Sequence, residues 1–99
     1  MAKRTALVTG ASAGIGKELC SLFARDGHDL VLVARSEARL RELSAELAAA
    51  HGITAHVVAA DLGDPNAPAA VFDAVERLGV SVDFLVNNAG FGSNGEFLD

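Results

Sequence analysis

Residues 6–16 read ALVTGASAGIG, and this stretch decides the fold. A short apolar run leads into three glycines, as it does where a β-strand turns into a helix to hold a pyrophosphate. Gly10 can adopt the positive φ of a tight turn, and Gly14 places no Cβ between the backbone and a phosphate. Gly16 is expected to let the first helix pack closely on the neighbouring strand. The free N–H groups of that helix's first turn would then face an anion.

Four apolar runs, centred near Leu7, Leu32, Val57 and Leu85, predict four strands. Three helical patterns separate them, so the order is βαβαβαβ. The runs are almost entirely apolar, which is typical of parallel strands covered on both faces. Right-handed crossovers then predict an α/β fold, a doubly wound Rossmann-type sheet with strand order 3-2-1-4. The glycine loop would end the first strand at the topological switch, where ligands bind in such sheets.

Residues that favour helix caps indicate where the predicted helices begin and end. The first helix is predicted from about Gly14 to Arg25, the second between Ser36 and Gly52, and the third after residues 64–68 and up to Gly79. The expected buried stripes are Ile15, Leu19, Leu22 and Phe23 in the first helix, Leu40, Leu43, Leu47 and Ala50 in the second, and Val71, Phe72, Val75 and Leu78 in the third. The charged residues of the second helix, expected to form a solvated surface, are Glu37, Arg39, Arg41, Glu42 and Glu46.

A second motif, Asn-Asn-Ala-Gly at residues 87–90, follows the fourth apolar run. Together with the Gly-x-x-x-Gly-x-Gly loop, it resembles the short-chain dehydrogenase/reductase family, over essentially the whole chain. The resemblance implies an NAD(P)-dependent oxidoreductase for carbonyl or alcohol substrates, a homo-oligomer when full length. The cofactor-binding residues that we predict are Gly10, Ala11, Ser12, Ala13, Gly14, Ile15, Gly16, Arg35, Asp61, Leu62, Asn88, Ala89 and Gly90.

The end of the second strand indicates NADP(H) in preference to NAD(H). Ala34 stands where relatives that use NAD carry an acidic residue for the adenosine ribose, and Arg35 follows at once. A carboxylate would repel the 2′-phosphate of NADP(H), whereas a guanidinium can bind it through two hydrogen bonds. We therefore expect Arg35 to bind this phosphate, with Ser12 as an auxiliary donor; the alternative is that Arg35 caps an exposed strand end. Many NADPH-preferring relatives carry a second basic residue where this chain has Ala13, so a moderate preference is expected.

Two further motifs fall at strand ends. In relatives, the residues at the positions of Asp61 and Leu62 bracket the adenine, with the acidic or amide side chain accepting a hydrogen bond from its amino group. The alternative is that Asp61 starts the turn into Gly63, and both roles can hold together. The resemblance makes Asn87 chiefly a brace between strands and places residues 88–90 along the cofactor ribose. A plain turn is the alternative for this second motif.

Hydride transfer to a carbonyl needs a proton donor for the developing alkoxide. The family uses a Tyr-x-x-x-Lys pair with a Ser, and this chain contains no tyrosine. We therefore expect residues 1–99 to be the NAD(P)-binding Rossmann half-domain of a longer reductase, inactive alone and without catalytic residues. One alternative is a non-catalytic dinucleotide-binding module. Another is a methyltransferase, which normally has an acidic residue where Arg35 stands.

Composition argues against other classes of function. The net charge is −5, from thirteen acidic and eight basic residues, and the absence of a basic stripe argues against a nucleic-acid partner. The single Cys20 suits a reducing compartment and is expected to be a small core residue. No apolar run reaches membrane-spanning length, so we expect a cytoplasmic protein without a membrane partner. His28, His51 and His56 lack metal-ligand spacing, and Ser93 has no base nearby in sequence that would make it a nucleophile.

Overall fold

Four strands and three helices alternate along the part of the chain that the structure describes, as the apolar runs predict. The computed structural model describes residues 4–12 and 14–88. Ala13, Ala89, Gly90 and Ser93 lie outside the described residues, and so do the expectations attached to them. The elements are β1 (Thr5–Thr9), α1 (Gly14–Arg25), β2 (Asp29–Ala34), α2 (Glu37–His51), β3 (Ala55–Ala59), α3 (Ala67–Leu78) and β4 (Phe84–Asn87).

The strands form one parallel sheet in the order β3-β2-β1-β4, which confirms the predicted order. The chain builds outward from β1 through β2 to β3, and then returns to place β4 on the other side of β1. The topological switch therefore lies between β1 and β4. Their carboxyl ends are in register, with Thr9 opposite Asn87.

A hydrophobic core lies on each face of the sheet. On one face, Ala6 and Val8 of β1 pack in a cluster with residues from α1 and α2. On the other face, Leu7 packs in a cluster with Val71 and Val75 of α3. Successive strand residues point to opposite faces, so this arrangement buries every residue of the central strands β1 and β2 apart from the first of each.

Helix α1 approaches the sheet through small residues, so the predicted apolar stripe is wrong in part. Ile15 is 67% exposed and Leu22 is also exposed, while Leu19 and Phe23 are half-buried. Small side chains allow the helix backbone to lie close to the strands, and the larger ones are displaced to the flanks. The buried residues of α1 are Gly16, Cys20 and Ala24, one turn apart.

The outer helices show the same kind of departure at single positions. In α2 the three leucines are buried as expected, but Ala50 is exposed. In α3 the valines are buried, whereas Phe72 is 65% exposed and Leu78 is exposed as well. Phe72 lies beside Leu85 of the edge strand β4 at a small apolar pocket. In the described residues no further strand follows β4 at this edge of the sheet, so both side chains remain exposed.

Candidate functional site

The two sequence motifs meet at the carboxyl end of the sheet. The Thr9 hydroxyl donates to Oδ1 of Asn87 at 3.1 Å, across the β1–β4 pair. This hydrogen bond joins the strands at the topological switch, which is the bracing role expected for Asn87. The glycine loop that follows Thr9 and the turn that follows Asn87 therefore begin side by side.

The loop after β1 turns sharply and is held against the end of β2. Gly10 has a φ of +64°, the left-handed conformation that glycine adopts without a steric penalty. The next residue, Ala11, is fully buried, and its N–H donates to the carbonyl oxygen of Val33 at 3.2 Å. The loop is thereby fixed to both central strands before α1 begins.

Gly16 is required by the close approach of α1 to this turn. A Cβ at position 16 would overlap the carbonyl oxygen of Gly10 and would lie 2.9 Å from Nδ2 of Asn88. The close contact is therefore with the turn that ends β1, and the expectation that Gly16 packs on the neighbouring strand is corrected in that respect. Since Asn88 Nδ2 also donates to the Gly10 carbonyl at 3.5 Å, both motifs share this contact.

Gly14 stands in a different environment from Gly16. Its φ is +56°, and among the described residues no heavy atom lies within 4 Å of where a Cβ would be, neighbouring backbone aside. The first turn of α1 therefore opens onto free space beside Gly14 and the exposed Ile15. Backbone N–H groups at such a helix start have no intrahelical acceptor and form a natural site for an anion.

A cleft of about 470 Å³ lies at the ends of the first three strands. It brings together five of the predicted residues, namely Gly10, Ser12, Arg35, Asp61 and Leu62. The last residue of β2 that lines the cleft is Ala34, so the strand ends there without an acidic side chain. The lining is completed by Ala34, Ser36, Arg39 and Gly63.

Asp61 holds the turn at the end of β3 and also lines the cleft. Its Oδ1 accepts a hydrogen bond from the N–H of Gly63 at 3.0 Å, and its carbonyl oxygen accepts one from Asp64 at 2.9 Å. The turn-forming role is thus present in the structure. Because the same carboxylate is exposed at the cleft, the two roles considered for Asp61 are compatible.

The charged residues of α2 are exposed, as expected for a solvated surface, and one of them, Arg39, also lines this cleft. It lies in the first turn of α2, and its backbone N–H donates to the Ser36 hydroxyl at 3.3 Å. Ser36 is therefore the N-cap predicted from the sequence. The sequence signal for Arg39 was its position four residues after Arg35, but it did not distinguish Arg39 from the other exposed charged residues of α2.

His28 and Cys20 make contacts that belong to the fold rather than to the cleft. Nδ1 of His28 accepts a hydrogen bond from the backbone N–H of Arg4 at 3.2 Å, and its ring packs against Phe23 and Phe84. Cys20 is buried, and burial raises the pKa of its thiol to about 12, so the thiol stays protonated at neutral pH. Within residues 4–12 and 14–88, no three potential metal ligands cluster, and no helix could span a membrane.

Comparison with known proteins connects this geometry to one family. The model of a family described as short chain dehydrogenase matches residues 4–99. A probable oxidoreductase, EphD of Mycobacterium tuberculosis, is 41% identical over 92 residues, which cover 93% of this chain and 15% of EphD. This chain therefore spans only a small part of that relative.

Two solved structures from bacteria are similar to the fold described here. The L-sorbose reductase of Gluconobacter frateurii, complexed with NADPH and L-sorbose, has a TM-score of 0.84 and 39% identity, covering 95% of this chain and 36% of that one. A short-chain dehydrogenase of Sphingobium yanoikuyae in complex with NADPH has a TM-score of 0.75 and 45% identity, covering 93% and 36%. The chain thus spans about a third of each solved protein.

Proposed function

The chain belongs to the short-chain dehydrogenase family, and we propose that it forms the NADP(H)-binding part of an oxidoreductase. The whole protein would transfer hydride between NADPH and a carbonyl or alcohol substrate. When bound, the nicotinamide would supply or accept the hydride. The residues of this chain would bind the dinucleotide and orient it at the carboxyl end of the sheet.

The observation that carries the proposal is the convergence of the glycine loop and Arg35 on one cleft. The loop offers the first-turn N–H groups of α1 beside open space at Gly14, as a pyrophosphate would need. Arg35 lines the same cleft, directly after β2 ends. A dinucleotide with its pyrophosphate on the loop would bring the adenosine ribose to the end of β2, as in other doubly wound sheets.

The choice of NADP(H) follows from the charges at that position. Ala34 ends β2 without a carboxylate that would repel a 2′-phosphate. Among the residues that the structure describes, no side chain accepts a hydrogen bond from the guanidinium of Arg35 or pairs with it. A free guanidinium suits a phosphate dianion because it can donate two parallel hydrogen bonds. The two similar structures solved with NADPH support the same choice.

The remaining predicted contacts complete the adenosine site. We propose that Asp61 accepts a hydrogen bond from the adenine amino group while Leu62 packs on the ring. Both residues line the cleft at the end of β3. Asn88, already within reach of the Gly10 carbonyl, would lie along the ribose with residues 89 and 90. The proton donor for the substrate would be supplied from outside these residues, because the chain contains no tyrosine.

Replacing Arg35 tests the proposal in the intact protein. We expect Arg35→Ala to raise the KM for NADPH much more than the KM for NADH, because only NADPH carries the 2′-phosphate. Arg25→Ala is the matched control, since Arg25 is exposed in the last turn of α1, far from the carboxyl end of the sheet. Equal effects of Arg35→Ala on both cofactors would contradict the assignment of Arg35.

A non-catalytic dinucleotide-binding protein is the second candidate, and the absence of tyrosine in these 99 residues favours it. Both candidates predict NADPH binding, so binding alone does not separate them. Oxidation of NADPH by the intact protein, followed at 340 nm with a panel of ketones and aldehydes, does separate them. Turnover supports the oxidoreductase, and tight binding with no turnover on any of them supports the second candidate.

A further inference from the structure

The loop between β3 and α3 contains two acidic side chains that are held in the same way. Oδ1 of Asp61 accepts a hydrogen bond from the N–H of Gly63 at 3.0 Å, and Oδ1 of Asp64 accepts one from the N–H of Asn66 at 2.9 Å. Each carboxylate is therefore tied to the backbone two residues further on, as in an Asx turn. Of these four residues, Asp61 and Gly63 line the cleft at the ends of the first three strands, and the other two do not.

The backbone at Asp61 is held on both sides. After it, the N–H of Asp64 donates to the Asp61 carbonyl oxygen at 2.9 Å. Before it, the N–H of Ala60 donates to the carbonyl oxygen of Ala34 at 2.9 Å, which joins the loop to the end of β2. Because the backbone is fixed in this way, the direction of the Asp61 carboxylate depends on its hydrogen bond to Gly63.

This hydrogen bond determines which oxygen of the Asp61 carboxylate stays available. Oδ1 accepts from the backbone, while Oδ2 has no donor within the part of the chain that the structure describes. An ionised carboxylate can only accept hydrogen bonds. Oδ2 therefore offers the cleft an acceptor, which suits the 6-amino group of adenine and repels the 6-keto oxygen that hypoxanthine carries at the same place.

Gly63 leaves room for this arrangement because it has no side chain. Its φ is not positive, so an alanine could adopt the same backbone conformation. A Cβ at position 63 would nevertheless lie 3.3 Å from Oδ1 of Asp61, closer than ordinary van der Waals contact. Since the backbone is held, the carboxylate is the group that would have to move, and its hydrogen bond to the Gly63 N–H would lose its alignment.

We propose that Gly63 is a positioning residue, which selects adenine over hypoxanthine by holding the Asp61 carboxylate with Oδ2 towards the base. This inference rests on the proposed function, in which Asp61 accepts from the adenine amino group, and deepens it. Gly63 acts through Asp61 and needs no contact of its own with the dinucleotide. Its N–H fixes Oδ1, and its lack of a Cβ leaves the carboxylate in place.

The first test is Gly63→Ala in the intact protein, titrated with NADPH and with deamino-NADPH, in which hypoxanthine replaces adenine. We expect the preference for NADPH to fall about threefold to tenfold, because a hydrogen bond to a charged acceptor is misaligned at a partly hydrated site. Gly79→Ala is the matched control, since Gly79 ends α3 and does not line the cleft. It should leave the preference unchanged.

The second test, Asp61→Asn, examines the orientation without adding bulk. Only the amide oxygen can accept from the Gly63 N–H, so the amide nitrogen takes the place of Oδ2 and becomes a donor. We expect deamino-NADPH to bind more tightly than NADPH, and this inversion to be lost when Gly63→Ala is combined with Asp61→Asn. Asp64→Asn is the control, because it makes the same change of charge in the neighbouring turn, outside the cleft.

The outcomes separate this inference from the proposed function. A changed preference in both Gly63→Ala and Asp61→Asn supports the inference. A change in Asp61→Asn alone overturns the role of Gly63 and leaves the adenine contact in place, and a change in Gly63→Ala alone shows that Gly63 does not act through Asp61, which also overturns it. If neither variant changes the preference, the adenine contact is overturned as well, while Arg35→Ala still decides the choice of NADP(H).

If the unchanged protein binds neither dinucleotide, the inference and the proposed function are both overturned. Because Asp61 and Gly63 are exposed, both variants are expected to fold. Their thermal transitions check this, and they should match the transition of Asp64→Asn.

Discussion

Gly16 is the residue at which the candidate site tolerates the least change. A methyl group there would collide with the Gly10 carbonyl, which belongs to the backbone and cannot move without opening the turn. We expect Gly16→Ala to lower the free energy of unfolding by about 1–3 kcal/mol, as overpacking does. It should also weaken the binding of NADPH and NADH alike, because the loop contacts the pyrophosphate that they share.

Gly52→Ala is the matched control for this prediction. Gly52 ends α2 with a φ of +71° and has open space where a Cβ would lie. The substitution strains the backbone by about 1–2 kcal/mol, but it is remote from the glycine loop. Urea denaturation and dinucleotide titration of both variants check the prediction. Unchanged dinucleotide binding in Gly16→Ala would contradict the role given to this contact.

At the level of the element, the Ser36 cap fixes the start of α2, and both lie at the cleft that Arg35 also lines. Ser36→Ala removes the cap and should lower stability by about 1 kcal/mol. Ser36→Asp restores the cap, since Asp is as good an N-cap residue, but sets a carboxylate at the cleft beside Arg35 and Arg39. We therefore expect Ser36→Asp to fold as stably as the unchanged protein and to lose affinity for NADPH much more than for NADH.

Denaturant midpoints and the two dinucleotide affinities measure this pair of variants. Ser36→Thr serves as the control, because it keeps the hydroxyl cap without adding charge. If Ser36→Asp bound NADPH as tightly as Ser36→Thr did, the cleft at the end of β2 would not hold the 2′-phosphate.

The elements themselves were predictable from the sequence, but their packing was predictable only in part. Apolar runs and helix-ending glycines gave the order of strands and helices, and the handedness of crossovers gave the strand order, which the structure confirms. The buried faces of α1 and α3 were partly wrong, because periodicity gives weight to large side chains such as Ile15 and Phe72. Close approach of a helix to a sheet selects small ones instead, and that depends on tertiary geometry.

The candidate site shows the same division. The turn at Gly10 and the close approach at Gly16 could be predicted from the spacing of the glycines, and the bracing role of Asn87 was implied by the family resemblance. Arg39 could not be assigned in this way, because it is one of five charged residues on the exposed surface of α2. Which of them lines the cleft depends on how α2 packs on the sheet, and the structure places Arg39 there.

At the scale of the whole molecule, the β4 edge is apolar and open in the described residues. Leu85 is 58% exposed, and it adjoins the exposed Phe72 of α3 at the apolar pocket. An unpaired strand edge next to apolar side chains promotes association between molecules. We therefore expect a polypeptide limited to residues 1–99 to self-associate, to unfold without a sharp transition, and to bind NADPH poorly.

Light scattering and thermal unfolding at several concentrations check this expectation. Leu85→Lys should reduce the association, because it places a charge on the edge strand. Leu22→Lys is the control, since Leu22 is exposed on α1 rather than at this edge. A sharp transition that is independent of concentration, in a dilute monomer, would contradict the expectation.

In the function proposed above, one cleft binds the pyrophosphate on the glycine loop and the 2′-phosphate at Arg35. A crystal structure of the intact protein with NADPH tests it most directly. We expect the pyrophosphate to accept hydrogen bonds from N–H groups at the start of α1, and the 2′-phosphate to lie within hydrogen-bond distance of the Arg35 guanidinium. A cleft that is empty at saturating NADPH or closed by side chains, or a 2′-phosphate that points away from Arg35 into solvent, would contradict it.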